Sequence, residues 1–190
     1  MHLLAHPYVA AAEQVAGDLL STAGARWRHT QAVARRAALT AEVVQPVDRP
    51  LLVAAAWLHD IGYAEPVQRS TFHPVDGAWF LRRRRWAEAV AGLVAQHSGA
   101  RFVAAVRGLD PLMQPFGAEE YFAGPLAEAL TFADQTTGPA GEEMDVETRL
   151  ADMLHRHGSD SPNARAHALR APAIRDAVQR TQQRLRSLGR

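Results

Sequence analysis

Residues 51–60 read Leu-Leu-Val-Ala-Ala-Ala-Trp-Leu-His-Asp, an apolar run that ends in two polar side chains. A helix with this sequence is apolar on every face, which predicts that it is the central buried helix of the protein. His59 and Asp60 end the run, and a buried carboxylate needs a partner because its unpaired burial costs much free energy. The run therefore indicates both a helical core and a polar site within it.

On both sides of this run, apolar residues recur with helical periodicity and no alternating strand pattern stands out. The chain of 190 residues suits a single domain with one core. We predict an all-α, single-domain bundle of about eight or nine helices spanning residues 1–190, with the polar site in a core at about 26–137 and C-terminal helices in 145–187 packed on it. The predicted helices cover 8–23, 26–44, 50–60, 74–85, 86–97, 99–108, 118–137, 145–157 and 163–187, and 110–117 is predicted to be a loop.

Further polar side chains lie on apolar helix faces. Asp134 follows Leu130 by four residues and His97 follows Leu93 by four, so each shares a face with apolar neighbours. His29 shows the same pattern near the start of the second predicted helix. Each residue alone is compatible with a hydrogen-bonded core position, but together they indicate a shared cation.

Composition limits the chemistry of such a site. The chain has no Cys and no Lys, which excludes disulfides, thiolate ligands and lysine Schiff bases. Imidazole and carboxylate ligands suit Fe, Mn, Co, Ni or Zn, whereas Ca²⁺ and Mg²⁺ prefer sites made entirely of oxygen. The sequence therefore predicts a transition-metal site.

The order of these residues resembles a known family. His29, then His59-Asp60 in Trp-Leu-His-Asp-Ile-Gly, then Asp134 in Thr-Phe-Ala-Asp-Gln is similar to the HD-domain metal-dependent phosphohydrolases. His73 and His97 lie between the HD dipeptide and the last aspartate, as in the dinuclear branch with the order H…HD…H…H…D.

The resemblance implies two divalent transition-metal ions, with iron, manganese, cobalt and nickel as candidates. By analogy, four residues hold one ion, two hold the second, and Asp60 bridges both. The implied ligands are His29, His59, Asp60 and Asp134 for the first ion, and His73 and His97 for the second. The other reading of His73 is a residue at a helix start before Pro74.

The implied activity is hydrolysis of a phosphate ester or anhydride by a metal-activated water, with nucleotides among the candidate substrates. Asp60 and His59 are the implied catalytic residues. One alternative is a di-iron oxygenase of the myo-inositol oxygenase kind, which has much the same ligand order. Another is a non-catalytic regulatory module, although such a module is expected to lack ligands and none of the six is missing.

The substrate-binding residues are predicted less directly. Many hydrolytic members carry a Lys three residues after the HD aspartate, where this chain has Tyr63. Phosphate binding is therefore expected to fall to arginine. The candidates for substrate binding are Tyr63, Arg101, Gln135, Thr136, Thr137 and Arg149. The alternative is that the arginines are solvated and that the two threonines only end their helix.

The expected partner is a phosphorylated small molecule. A formal net charge of +1 gives no broad field for nucleic acid, and the successive arginines 82–85 point in different directions on a helix. No apolar run approaches the ~20 residues of a membrane span. We therefore expect a cytoplasmic protein with no nucleic-acid or membrane partner, and a homo-oligomer is compatible with the sequence.

Overall fold

A computed structural model describes residues 3–189, while Met1, His2 and Arg190 lie outside the described part. Residues 3–189 contain nine helices of seven residues or more and the four-residue α7, and their only strand-like pairing is a bridge between Thr137 and Glu143. The helices are α1 (Pro7–Leu20), α2 (Ala25–Thr40), α3 (Arg49–Leu58), α4 (His73–Arg83), α5 (Glu88–Gln96), α6 (Ala100–Val106), α7 (Asp110–Met113), α8 (Pro125–Gln135), α9 (Val146–His157) and α10 (Pro162–Ser187). The all-α prediction is therefore confirmed.

The helix predicted to be central, α3, packs against α1, α2, α5 and α8. Every residue from Leu52 to Leu58 is buried, as expected for a helix that is apolar on all faces. The helix ends at Leu58, and a 3-10 turn over Ile61–Tyr63 follows. His59 and Asp60 therefore lie at the carboxyl end of the most buried helix.

The helices predicted over 8–23 and 26–44 end three and four residues early, at Leu20 and Thr40, and the two largest differences lie between residues 110 and 137. The helix predicted over 118–137 begins only at Pro125, because Gly124 adopts a φ of 86° and Pro125 is well suited to the first helical turn. The predicted loop over 110–117 contains the short α7 and a 3-10 turn over Gln114–Phe116. Neither difference moves the helices that carry the HD dipeptide or Asp134.

The C-terminal helix α10 is more integrated than its polar sequence indicates. It packs against α6, α8 and α9, and its buried face includes Ile174 and Val178. Arg184 lies 2.5 Å from the buried carboxylate of Glu128 on α8. One face of α10 therefore packs on the core, while the rest of the helix is exposed or only partly buried. Among residues 3–189, no helix combines the length and apolar character that a membrane span requires.

Candidate metal centre

The six predicted ligands come from five helices and meet in one place. Four of them lie at the ends of helices or directly beyond them, where the chain turns and side chains from neighbouring helices can converge. They are contributed by α2 (His29), the residues after α3 (His59 and Asp60), the first position of α4 (His73), the residue after α5 (His97) and α8 (Asp134).

His29, His59 and Asp134 form one potential metal-binding group, which we call the first ligand group. One ligand atom from each residue lies within 4.8 Å of the others. The Nε2 of His29 is 3.1 Å from the Oδ1 of Asp134. All three residues are at least 95% buried, so the group is enclosed by the core.

Asp60, His73 and His97 form the second ligand group, with the same spacing limit of 4.8 Å. The Nε2 of His73 is 3.3 Å from the Nε2 of His97 and 3.4 Å from the Oδ1 of Asp60. The same Oδ1 lies 3.6 Å from the Nε2 of His59 in the first ligand group. Asp60 therefore stands between the two groups.

Hydrogen bonds fix the orientation of three imidazoles. His29, His59 and His97 each have Nδ1 beside a backbone carbonyl, and a carbonyl can only accept, so each Nδ1 carries the proton. The acceptors are Gly138 (2.9 Å), Ala56 (2.8 Å) and Val94 (2.7 Å), respectively. In the neutral imidazole each Nε2 then keeps a lone pair for a cation, an arrangement common among metal-binding histidines.

The Nε2 of His59 is a direct test of whether this site fits a metal. It is buried and has no hydrogen-bond partner among the described residues. A buried polar atom without a partner costs about 1–3 kcal/mol. A cation held with His29 and Asp134 would satisfy it, so the donor set fits a divalent transition metal.

Both carboxylates are held in the ionised state. Burial alone would raise their pKa values, but the neighbouring His59 and Arg26 outweigh it at Asp60, and the neighbouring His29 does so at Asp134, so both pKa values are lowered. An NH1 of Arg26 donates to the Oδ2 of Asp60 at 2.6 Å. Ionised carboxylates are the form that binds cations.

The histidines of the second ligand group are held neutral. Burial lowers the pKa of His73 well below its usual range, and Asp60 offsets only part of this effect. Burial and the neighbouring His59 lower the pKa of His97 as well. At neutral pH both imidazoles therefore remain available as ligands, since protonated histidine cannot bind a metal.

The ligand groups open onto a cavity of about 500 Å³. Its lining is rich in positive charge, since five arginines line it and only two carboxylates, Asp60 and Asp134, do so among the described residues. The arginines that line it are Arg26, Arg107, Arg149, Arg156 and Arg170. Such a cavity is suited to an anionic ligand.

Tyr63 lies at the edge of this cavity between two site residues. Its ring stacks on His73 with centroids 3.9 Å apart, and the Arg26 guanidinium lies 3.4 Å from its centroid. Both neighbours contact the ring directly over its centre, so they occupy opposite faces. Burial, with the nearby Asp60, raises the pKa of Tyr63 to about 12, so the phenol stays protonated at neutral pH.

The six candidate substrate-binding residues divide evenly. Tyr63, Gln135 and Arg149 line the cavity. Arg101 does not; it lines a separate small pocket, where its guanidinium lies 4.0 Å from the Phe122 ring centroid.

The remaining two, Thr136 and Thr137, are also absent from the cavity lining. Their hydroxyls donate to the Phe132 and Ala133 carbonyls at 2.6 and 2.7 Å. These bonds close the end of α8, so the structure supports the helix-ending role for this pair.

Sequence reasoning missed Arg26, Ser98 and Arg170. Ser98 donates to the Oδ2 of Asp134 and has a left-handed φ of 51°, which is uncommon for a residue other than glycine. In the sequence, only the position directly after His97 indicates a role for Ser98. Nothing in the sequence indicates a role for Arg26 or Arg170, because both lie in helices with many polar residues.

The family model described as HD domain matches residues 26–156, which is more than half of the chain. The matched segment contains all six residues of the two ligand groups. No curated protein and no solved structure matches the chain. HD domains bind divalent metals, and the family includes metal-dependent phosphohydrolases. The match, the all-helical fold and the His/Asp groups together show that the chain belongs to the HD-domain family.

Proposed function

We propose that this protein is a phosphohydrolase that uses two divalent transition-metal ions to cleave a phosphate ester or anhydride of a small molecule. The observation that carries the proposal is the opening of two adjacent His/Asp groups onto a cavity whose other charged groups are arginines. An arginine-lined cavity complements the charge of a phosphate, and adjacent cation sites are the usual arrangement for activating water beside it.

Each ligand group would hold one ion, with Asp60 shared between them. His29, His59 and Asp134 would bind the first ion, and His73 and His97 the second. When bound, the ions would activate a water and withdraw negative charge from the phosphoryl oxygens. Iron, manganese, cobalt and nickel all accept this set of imidazole and carboxylate ligands.

Two arginines would neutralise charge on the phosphoryl group. Arg26 lies 2.6 Å from Asp60, and Arg149 lies 3.6 Å from Asp134, so both guanidinium groups are beside the carboxylates of the site. A guanidinium positioned before the reaction stabilises the charge that develops in the transition state. Arg149 is also nearly buried, with a side chain 12% exposed, which strengthens its interaction with an anion.

Tyr63 would donate a hydrogen bond to a phosphoryl oxygen. Its phenol remains protonated well above neutral pH because its pKa is raised to about 12. The contacts of its ring with Arg26 and His73 fix its orientation. A phenol supplies a donor but no charge, so in this chain Arg26 and Arg149 would supply the positive charge.

Phosphate release from a substrate panel tests the proposal. The panel contains para-nitrophenyl phosphate and nucleoside mono-, di- and triphosphates, assayed after loading with Mn²⁺, Co²⁺, Ni²⁺ or Fe²⁺, in air and under argon. We expect phosphate release under argon with at least one substrate, and its loss in Asp60→Asn. The exposed Asp18→Asn is the matched control and should retain activity.

Two results would reject the proposal. Full activity in Asp60→Asn would show that the site is not the catalytic one. Consumption of a substrate only in the presence of dioxygen, without release of phosphate, would assign the site to the di-iron oxygenase alternative.

A further inference from the structure

Arg170 is a cavity-lining cation whose contacts are all with neutral groups. Its Nε donates to the Ser98 carbonyl at 2.8 Å, and its NH1 donates to the Oδ1 of Asn163 at 3.2 Å. Within residues 3–189 it forms no ion pair with a carboxylate. Burial lowers its pKa, and the more distant Asp134 carboxylate offsets only part of this effect. A partly enclosed cation of this kind is stabilised when an anion binds beside it.

The position of Arg170 is next to the ligand groups but outside them. Ser98 connects the two, since its carbonyl accepts from Arg170 and its hydroxyl donates to Asp134. An anion bound by Arg170 would therefore lie close to a phosphate held at the metal ligands, without displacing it. Arg170 and Asn163 belong to α10, beyond the residues 26–156 that match the HD-domain family.

Arg107 is a second cavity-lining arginine with neutral partners. It donates to the carbonyl oxygen and the hydroxyl of Thr71, at 3.1 and 3.0 Å. The other three arginines of the cavity differ in this respect. Arg26, Arg149 and Arg156 each lie within 4.0 Å of a carboxylate. Two arginines of the cavity, Arg170 and Arg107, therefore have no carboxylate within ion-pair distance in the described part of the protein.

One phosphate at the metal ligands would use Arg26 and Arg149 and leave Arg170 and Arg107 unpaired. We propose that the substrate carries at least one further phosphate group, which Arg170 binds, with Arg107 as a second cation for the same part of the substrate. This inference rests on the proposed function, and it narrows the substrate class to multiply phosphorylated small molecules. Two phosphate groups in one molecule occur both in polyphosphate chains and in bisphosphates whose phosphates are separated by a carbon skeleton.

Anion binding to the metal-free protein tests this inference without catalysis. The metal-free form is used because polyphosphates chelate metal ions, and the contacts that hold Arg170 involve no metal ligand. Titration calorimetry at constant ionic strength compares orthophosphate, tripolyphosphate and fructose 1,6-bisphosphate. We expect tripolyphosphate or the bisphosphate to bind about tenfold more tightly than orthophosphate, because additional charged hydrogen bonds form. The tighter of the two identifies whether the phosphates are contiguous or separated.

The variant Arg170→Met should remove most of that preference, because tripolyphosphate should lose more affinity than orthophosphate does. Arg186→Met is the matched control, because Arg186 is exposed on the same helix, and its affinities should equal those of the wild type. Asn163→Ala keeps the charge but removes one acceptor that orients Arg170, so it should weaken tripolyphosphate binding by a smaller factor. If Arg170→Met fails to fold, the comparison is made with Asn163→Ala instead.

Equal affinity for mono- and polyanions, or an unchanged preference in Arg170→Met and Asn163→Ala, would overturn the inference. These outcomes are independent of the proposed function. If no phosphate ester is hydrolysed but polyanion binding depends on Arg170, the polyanion site stands and the hydrolase proposal fails. If esters are hydrolysed but binding does not depend on Arg170, only the present inference fails.

Discussion

The Nε2 atoms of His73 and His97 lie 3.3 Å apart. His97 donates its Nδ1 proton to the Val94 carbonyl, so its neutral ring presents a lone pair at Nε2. A second lone pair at this distance would repel it, so either the Nε2 of His73 carries a proton or a cation lies between the two atoms. Because Asp60 lies 3.4 Å from the same atom of His73, a metal ion is well placed to fill this role.

His73→Ala should therefore lower the metal content from about two ions per chain to about one, because the second ligand group loses one of its three ligands. Elemental analysis of the purified protein gives the measurement. His155→Ala is the control, since His155 is exposed on α9, and its metal content should match the wild type. A wild type with one ion, unchanged in His73→Ala, would contradict the dinuclear proposal.

Gly62 controls the position of His73 through the backbone. A Cβ at residue 62 would overlap the carbonyl oxygen of His73. It would also lie 2.7 Å from the carbonyl carbon and 2.8 Å from the Cα of His73. Because the obstacle is backbone, it cannot be relieved by rotating a side chain. Gly62→Ala should lower the free energy of unfolding by roughly 3 kcal/mol, as overpacking does at a rigid site, and should also reduce metal content.

Urea denaturation and elemental analysis check both effects. Gly17→Ala is the matched control, since the nearest atom to its added Cβ is 3.8 Å away and the residue lies inside α1. It should raise stability by about 0.5–1 kcal/mol, the usual gain from replacing a helical glycine by alanine. Unchanged metal content and stability in Gly62→Ala would show that the 3-10 turn shifts to accommodate the added methyl group and that Gly62 does not fix the position of His73.

The metal-free protein should lose stability as the pH falls. His73 and His97 have lowered pKa values in the folded state because they are buried, whereas an unfolded chain takes up these protons near pH 6.5. Their contribution to the free energy of unfolding is therefore present above pH 6.5 and declines as the pH falls below it. The pKa of His29 is raised by Asp134, so its contribution has the opposite sign.

Burial lowers the pKa of His157 as well. Three histidines therefore oppose His29, so the urea midpoint of the wild type should fall between about pH 7 and pH 5. His97→Gln should show a smaller fall, because one of these three histidines no longer titrates. The exposed His155→Gln should behave as the wild type. A midpoint that rises on acidification would mean that His29 dominates.

The sequence predicted the metal ligands well because they interrupt apolar patterns. His59 and Asp60 end the run 51–58, and Asp134 shares a face with Leu130, so periodicity alone marked them as buried. The HD-type order then related positions more than 100 residues apart, such as His29 and Asp134. Helix periodicity by itself cannot supply that information.

The cavity wall was much harder to predict. Arg170 belongs to a long helix rich in arginine and glutamine, where nothing local distinguishes it from the exposed Arg186. Its role depends on the packing of α10 against α6 and α8, which is a tertiary property. Because the cavity lining is a tertiary property, the sequence could not distinguish Arg101 from Arg149 as a candidate for substrate binding, although only Arg149 lines the cavity.

This difference between Arg149 and Arg101 gives the last prediction. Arg149→Met should lower kcat/KM for the best substrate about tenfold or more, because a hydrogen bond to a charged group contributes about 1.5–3 kcal/mol. Arg101→Met should change it by less than about threefold, since this guanidinium lies over Phe122 in a different pocket. Steady-state kinetics of both metal-loaded variants give the two values of kcat/KM, and their melting temperatures verify that the variants are folded. Equal losses in the two folded variants would mean that Arg101 reaches the substrate, and that the cavity closes around it in a different arrangement.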